Sequence, residues 1–315
     1  MARGKLRVTG EIDIPAVSAD LTKRISVYLL SLEEGERLLT VRELAALCEA
    51  SVGSISNALS SLEQSGAVRI SRRGHLGSFL EARSVGDLWN AARDEPVVVA
   101  NPLPSSRRYE GLAAGLKKLL QETGVQAFMI FQRGSLARME ALRKKRCHIA
   151  VMSTFAAERL CTENEEIVMN LPPGSFLSGH KVYYRPRVEP PDAPLRVAID
   201  RASYDHFRLT ELEFADQNVV FVETNFMQIR QLLASGAVDA SMWTVDEIGE
   251  LPSGVLSRPP SEKVLEIIDD TDKMTALVIR AEDHVTRALV RAAIDPDALM
   301  AFQQAVLTGE VVPDY

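Results

Sequence analysis

The sequence predicts an α/β protein in two parts: an N-terminal winged helix-turn-helix followed by a bilobal α/β domain. Three observations carry that expectation. Residues 66–83 form an alternating hairpin in which Arg69, Arg72, Arg73 and Arg83 are opposed only by Glu81, and it directly follows three helical stretches. From Pro96 onward short apolar strands alternate with helices, which argues a parallel sheet. The unit strand–helix–strand–helix–strand occurs there twice, over 97–152 and 196–242. Charge divides along the same line: residues 1–83 hold 11 basic and 10 acidic side chains, and 84–315 hold 25 and 33. The net charge of -7 therefore belongs almost wholly to the second part.

Each element has its own signal. Leu21, Ile25, Tyr28, Leu29 and Leu32 recur at helical spacing over 20–32. Thr40 and Glu43 stand as N-cap and N3 of a capping box, opening a helix with Leu44 and Leu47 inward. After the short turn 49–51, residues 52–64 read as a third helix with Val52, Ile55, Leu59 and Leu62 on its apolar side, closed by Gly66. Residues 67–71 and 78–80 are the hairpin strands, and 72–77 their turn. The expected divisions are a winged helix-turn-helix over 16–83, a linker over 84–95, and a bilobal effector-binding domain over 96–315. In the last, lobe I takes about 96–184 and 250–315, and lobe II about 185–249. Within the linker, Val85, Leu88, Trp89 and Ala92 line one face of a short helix that packs on a neighbouring domain or makes a dimer contact. Strands are expected at 97–100, 125–131, 147–152, 196–199, 219–222 and 239–242, and helices at 108–120, 135–145, 203–214, 226–235, 283–293 and 296–307. The many prolines of 171–194 make that stretch an extended connection.

Composition removes several function classes. A chain of 315 residues, 46% hydrophobic and 25% charged, is neither disordered nor fibrous, and its three cysteines exclude a disulfide scaffold. The five histidines never fall three to five residues apart, so no local metal motif exists and no metal or cofactor is expected. No apolar run approaches the ~18 residues of a membrane span, and 1–15 has no apolar signal-peptide core, so a cytoplasmic protein without a membrane partner is expected.

The helix-turn-helix implies double-stranded DNA as partner, with the third helix in the major groove. It would present Ser51, Ser54, Ser56 and Asn57, small polar side chains able to approach phosphates and base edges, while Arg69, Arg72, Arg73 and His75 on the wing supply cations. Four to six neutralised phosphates per monomer would give a slope of log K against log salt of roughly -4 to -5. A homodimer on a two-fold operator is the matching assembly.

The residues 43–45, 51–59, 62–68 and the Arg72-Arg73-Gly74 wing resemble GntR-type winged-helix regulators. Ser56 stands where those proteins often carry an arginine, which moves weight to Asn57 and the wing. Further on, Asn101-Pro102-Leu103-Pro104, the run Arg108-Tyr109-Glu110-Gly111-Leu112-Ala113 and Gly115-Leu116-Lys117 are similar to the YhfZ-type transcriptional regulators. That resemblance runs from about Ala16 through nearly the whole chain. It implies a C-terminal domain like a type II periplasmic binding protein.

Open α/β sheets bind ligands beyond the carboxyl ends of their strands. The candidate ligand residues by that rule are Asn101, Pro104, Ser105, Arg107, Arg108, Tyr109, Ser153, Thr154, Asp200, Arg201, Thr224 and Trp243. Hydroxyls and amides at helix starts beside two arginines point to a small anionic effector. No nucleophile elbow, phosphate loop, dinucleotide fingerprint or zinc-protease motif occurs, so no catalytic residue is expected. The alternative function is a small-molecule isomerase or hydrolase carrying a vestigial winged helix.

Overall fold

A computed structural model describes residues 21–186 and 193–315. Positions 16–20 of the expected DNA-binding domain, and Pro190 and Pro191 of the proline-rich connection, lie outside the described residues.

In chain order, the elements begin with α1 (Leu21–Ser31), α2 (Val41–Leu47), α3 (Val52–Gln64), β1 (Val68–Arg72), β2 (Ser78–Arg83) and α4 (Val85–Ala92). Next come β3 (Val97–Asn101), α5 (Arg107–Glu122), β4 (Ala127–Phe131), α6 (Ser135–Arg143), β5 (Ile149–Ser153), α7 (Thr154–Leu160) and β6 (Glu165–Asn170). They are followed by β7 (His180–Tyr184), β8 (Leu195–Ile199), α8 (Tyr204–Glu213), β9 (Val219–Glu223), α9 (Ile229–Ser235), β10 (Ala240–Thr244) and α10 (Val245–Ile248). The chain ends with β11 (Leu256–Arg258), α11 (Glu262–Ile268), β12 (Thr275–Arg280), α12 (His284–Ala293) and α13 (Pro296–Thr308). These form two compact units. One takes the chain up to Pro96 with Leu119–Gln126 and Glu282–Asp295, and the other takes Val97–Lys118, Ala127–Ala281 and Pro296–Tyr315.

The first unit is the expected winged helix-turn-helix. Both halves of the capping box form: the Thr40 hydroxyl accepts from the Glu43 N–H at 3.2 Å, and the Glu43 carboxylate accepts from the Thr40 N–H at 2.7 Å. A cap of this kind contributes about 1 kcal/mol. Ser51 caps α3 by accepting from the Ser54 N–H at 3.0 Å. Ile55, Leu59 and Leu62 then enter a core shared with Ile25, Leu29, Leu44 and Leu80. Two expected core positions differ. Val52 is 49% exposed, because it sits in the first turn of α3 ahead of the packed face, and Leu47 is 41% exposed while its neighbour Cys48 is buried in its place. Arg83 does not join the basic wing. Its guanidinium donates to the carbonyls of Leu30, at 2.6 Å, and Leu32, where α1 runs out of internal donors.

The expected linker 84–95 is no free connection. It folds as α4, capped by Ser84 and packed on α1 and α12, with Leu88 and Trp89 both 0% exposed. The Trp89 indole donates to the Glu95 carbonyl at 2.8 Å. The apolar face of this helix is consumed within its own chain, so it offers nothing to a dimer.

The second unit holds two five-stranded sheets with one topology, β4-β3-β5-β12-β6 and β11-β7-β10-β8-β9. In each, three strands are parallel, as the alternation predicts: β4, β3 and β5 in one, β9, β8 and β10 in the other. A fourth strand then returns antiparallel, β12 beside β5 and β7 beside β10. The fold class is as expected, α/β with a winged helix-turn-helix followed by a bilobal domain. The lobe limits differ from the expected breaks at 185 and 250. β7, inside the proline-rich stretch expected to be plain connection, belongs to the second sheet, and so do β11 and the packed helix α11. Chain therefore passes between lobes around 171–179 and 269–274. Strands β5, β10 and β12 are buried at every position, which roots both lobes on apolar centres. Helix α13 lies close on α5 at Gly115, where a Cβ would come within 2.6 Å of Leu299 Cδ1.

Candidate functional site

The recognition helix and wing present every residue the sequence nominates. Ser51, Ser54, Ser56, Asn57, Arg69, Arg72, Arg73 and His75 are all exposed. Several are already engaged. The Ser51 and Ser54 hydroxyls bond one another at 2.8 Å, Arg69 pairs with Glu81 at 3.3 Å, and Arg73 stacks over the Phe79 ring at 4.6 Å. Arg72 makes a two-pronged ion pair with Glu63 of α3, one prong at 3.1 Å, which ties the wing to the recognition helix. Of the nominated residues on α3, Ser56 and Asn57 remain open. Arg42 on α2 and Arg37 before it are further exposed cations that the sequence pattern does not mark.

The second site is a cavity between the two lobes, about 70 Å³ in volume, several times the ~10–15 Å³ that one water needs. Strand ends and helix starts build it, as the carboxyl-end rule predicts. Of the twelve nominated residues, Ser105, Tyr109 and Trp243 line it. The other nine do not, and their side chains are spent nearby. Asn101 is buried and donates to the Val99 carbonyl at 3.1 Å, while Pro104 points out to solvent. Arg107 pairs with Glu110 at 3.0 Å and reaches the Val306 carbonyl. Arg108 donates to the Gly174 carbonyl and to Ser178, and lies 3.5 Å from Asp246. Thr154 bonds Asn170, Arg201 pairs with Glu223 and Glu211, and Thr224 bonds within its own turn.

Ser153 and Asp200 serve the seam between lobes. The Ser153 hydroxyl caps α7 by accepting from the Ala156 N–H and donates to the Asp205 carboxylate at 2.7 Å. Asp200 accepts from Arg133 at 2.5 Å and from the N–H groups of Ala202 and Phe226. Ser105 and Glu247 close the seam from the other side. At Gly134, φ is +81° and a Cβ would overlap the Ala202 carbonyl oxygen, so only glycine permits this approach of the lobes.

The lining that sequence reasoning missed includes the charged and imidazole side chains of Arg138, His180, Asp205, His206 and Glu247. Arg138 donates Nε to the Val151 carbonyl at 2.6 Å and Nη1 to the Gln132 carbonyl at 2.8 Å; burial lowers its pKa to about 10, which leaves it a cation. Asp205 and Glu247 are pushed up to about 6 and about 7, chiefly by burial. His206 accepts the Asp200 N–H at Nδ1, and burial takes its pKa down to about 4, so the ring is neutral at pH 7. His180 meets Asp272 at 2.7 Å. Aromatic side chains complete the wall: Tyr109 with Phe176 at 5.1 Å, and Trp243 between Phe226 at 5.2 Å and His206 at 5.6 Å. Among the described residues no group of three or more His, Cys, Asp or Glu side chains is arranged to hold a metal, and no helix is long and apolar enough to cross a membrane.

Residues 85–315 match the YhfZ C-terminal domain, and residues 33–80 match a helix-turn-helix domain. The Escherichia coli (strain K12) protein YhfZ is 35% identical over 289 residues, which is 91% of this chain and 94% of that protein. The crystal structure of YhfZ from Shigella flexneri aligns at 32% identity with a TM-score of 0.58, over 70% of this chain and 93% of that one. An ABC-transporter periplasmic substrate-binding protein from Coxiella burnetii aligns at 13% identity with a TM-score of 0.41, over 69% of this chain and 100% of that one.

Proposed function

The chain belongs to the YhfZ family, and from that premise we propose that it is a ligand-responsive, DNA-binding transcriptional regulator of the cytoplasm. The observation that carries this reading is the union, in one chain, of a helix-turn-helix with an open recognition face and a bilobal domain enclosing a polar, aromatic-walled cavity. The partner of the first is double-stranded operator DNA, read by Ser56 and Asn57 with Arg69, Arg72, Arg73 and His75 on the phosphates. A homodimer would place two such helices in successive major grooves, about 34–36 Å apart on a two-fold site. The partner of the second is a small-molecule effector. Its binding favours one arrangement of the lobes over another, and it acts on DNA affinity only as far as it distinguishes those arrangements.

The expected anionic character of that effector rested on Arg107 and Arg108. Both are committed to backbone carbonyls and acids outside the cavity, so they lend it no support.

The test is titration of the full chain onto DNA from upstream of its own gene at several salt concentrations. Specific binding with a log–log salt slope near -4 per monomer supports the DNA assignment. Retention no tighter than on unrelated DNA of the same length rejects it.

A further inference from the structure

The polar lining of the cavity carries one more step. Asp205 is 6% exposed, and its carboxylate accepts only from the Ser153 hydroxyl, with no cation paired to it among the described residues. Glu247 accepts from Ser105 and likewise has no cationic partner there. Both carboxyls line the same cavity as the buried Tyr109 phenol. A buried carboxylate without a counter-charge is costly, and the cost is met either by keeping a proton or by a cation that pairs with it. Arg138 is the one permanent cation in the lining, and two of its three nitrogens are held by carbonyls.

Two further observations concern the ligand rather than the protein. Aromatic side chains Tyr109, Phe176, Phe226 and Trp243 stand beside the two acids, and aromatic rings attract organic cations. Trp243 is only 5% exposed, yet its indole N–H finds no acceptor among the described residues. A buried donor left in that state marks a place where an acceptor is to be supplied.

We propose that the cleft takes a small ligand bearing a primary ammonium group, held by Asp205 and Glu247 against the aromatic wall, together with an oxygen that accepts the Trp243 indole N–H. This rests on the cleft being the effector site, as argued above. It replaces the anionic effector with a cationic or zwitterionic one.

The test uses the full chain and matched pairs of small compounds differing only in the nitrogen: glycine against glycolate, alanine against lactate, serine against glycerate, and ethanolamine against ethylene glycol. Binding is read by calorimetry and by thermal shift at constant ionic strength. At least one amino compound is expected to bind saturably and at least ~tenfold tighter than its hydroxy counterpart, the scale of one charged hydrogen bond. Glu247→Gln should weaken the amino compound ~tenfold and leave the hydroxy compound unchanged, and Asp205→Asn provides the same comparison from a second helix of the same lobe. Equal binding within the pairs, or no binding by any of the eight, overturns the proposal. Operator binding read in the same samples separates it from the regulator reading. An amino compound that binds yet leaves DNA affinity unchanged upholds the ligand class and removes the regulator, whereas a hydroxy acid that alone alters DNA affinity does the reverse.

Discussion

The wing and the cleft treat charge in opposite ways. On the wing, Arg69 and Arg72 are exposed and each already has an acid, Glu81 or Glu63. In the cleft, Asp205 and Glu247 are partly or wholly buried and form no salt bridge among the described residues. An exposed pair is worth ~0–1 kcal/mol and is readily exchanged for a phosphate. A buried carboxylate is costly until it is matched. The wing is thus a surface ready to trade partners, and the cleft is a site held short of one.

Four changes would break or sharpen that contrast. The largest effect belongs to Arg72→Ala with Arg73→Ala: operator affinity should fall roughly tenfold per arginine, and the salt slope should become shallower by about 2. Gel-shift titrations across a salt series measure both, and an unchanged slope would remove these arginines from the phosphate contacts. Next is Gly134→Ala, whose Cβ would press on the Ala202 carbonyl. A strained residue at positive φ costs ~1–3 kcal/mol, so calorimetry should show cleft ligands binding about tenfold weaker, with DNA affinity in their absence intact.

The third effect is pH-dependent. Glu247, whose neighbours include Ser105, Asp246 and His180, holds its proton up to about 7, above the ordinary 4.5 of a glutamate. The folded state therefore binds more protons than the unfolded chain across that interval, and the contribution of Glu247 to stability declines as pH rises through it. His206 works in the other direction, since its lowered pKa makes its contribution fade as pH drops from 6.5 toward about 4. Only the difference between wild type and Glu247→Gln isolates the acid. That difference in melting temperature should shift toward the variant between pH 4.5 and 7, while the affinity for an amino compound rises more steeply in the wild type than in the variant, which keeps Asp205. The smallest effect is Glu63→Gln, which frees Arg72. Operator affinity should rise about two- to fivefold, the range of an exposed ion pair, and a fall would mean that the pair orients the wing for DNA.

The helix-turn-helix was legible because its signals are local. Thr40 with Glu43, Ser51 before α3 and Gly66 after it are each read within four residues. The parallel cores of both lobes were legible for a similar reason, as strand and helix periods alternate cleanly. The returning strands β7 and β12 were not. Each pairs across the sheet with a partner about 60 or more than 120 positions away, and nothing near them in the chain signals it. In the cleft, the strand-end rule located the region and Ser105, Tyr109 and Trp243 within it. It passed over Arg138, Asp205, His206 and Glu247 because an ionisable residue in a helix ordinarily faces solvent, and the partners that engage these four lie 13 to 142 positions away in the chain. The rule equally overvalued Arg107 and Arg108, which share the right loop but turn to carbonyls.

Helix α12 lies nearly two hundred residues after α4, yet it packs on α4 and α1, with Leu289 and Val290 fully buried and Asp283 bonded to Arg93 at 2.8 Å. Gly86 similarly donates its N–H to the Thr123 carbonyl at 2.9 Å. A gene cut after codon 96 would strip the N-terminal unit of these later contributions and leave their apolar faces bare on the remainder. The two units of this chain are therefore not interchangeable cassettes: grafting either onto another protein by a single splice would carry an incomplete core, so the two are expected to be inherited and exchanged together.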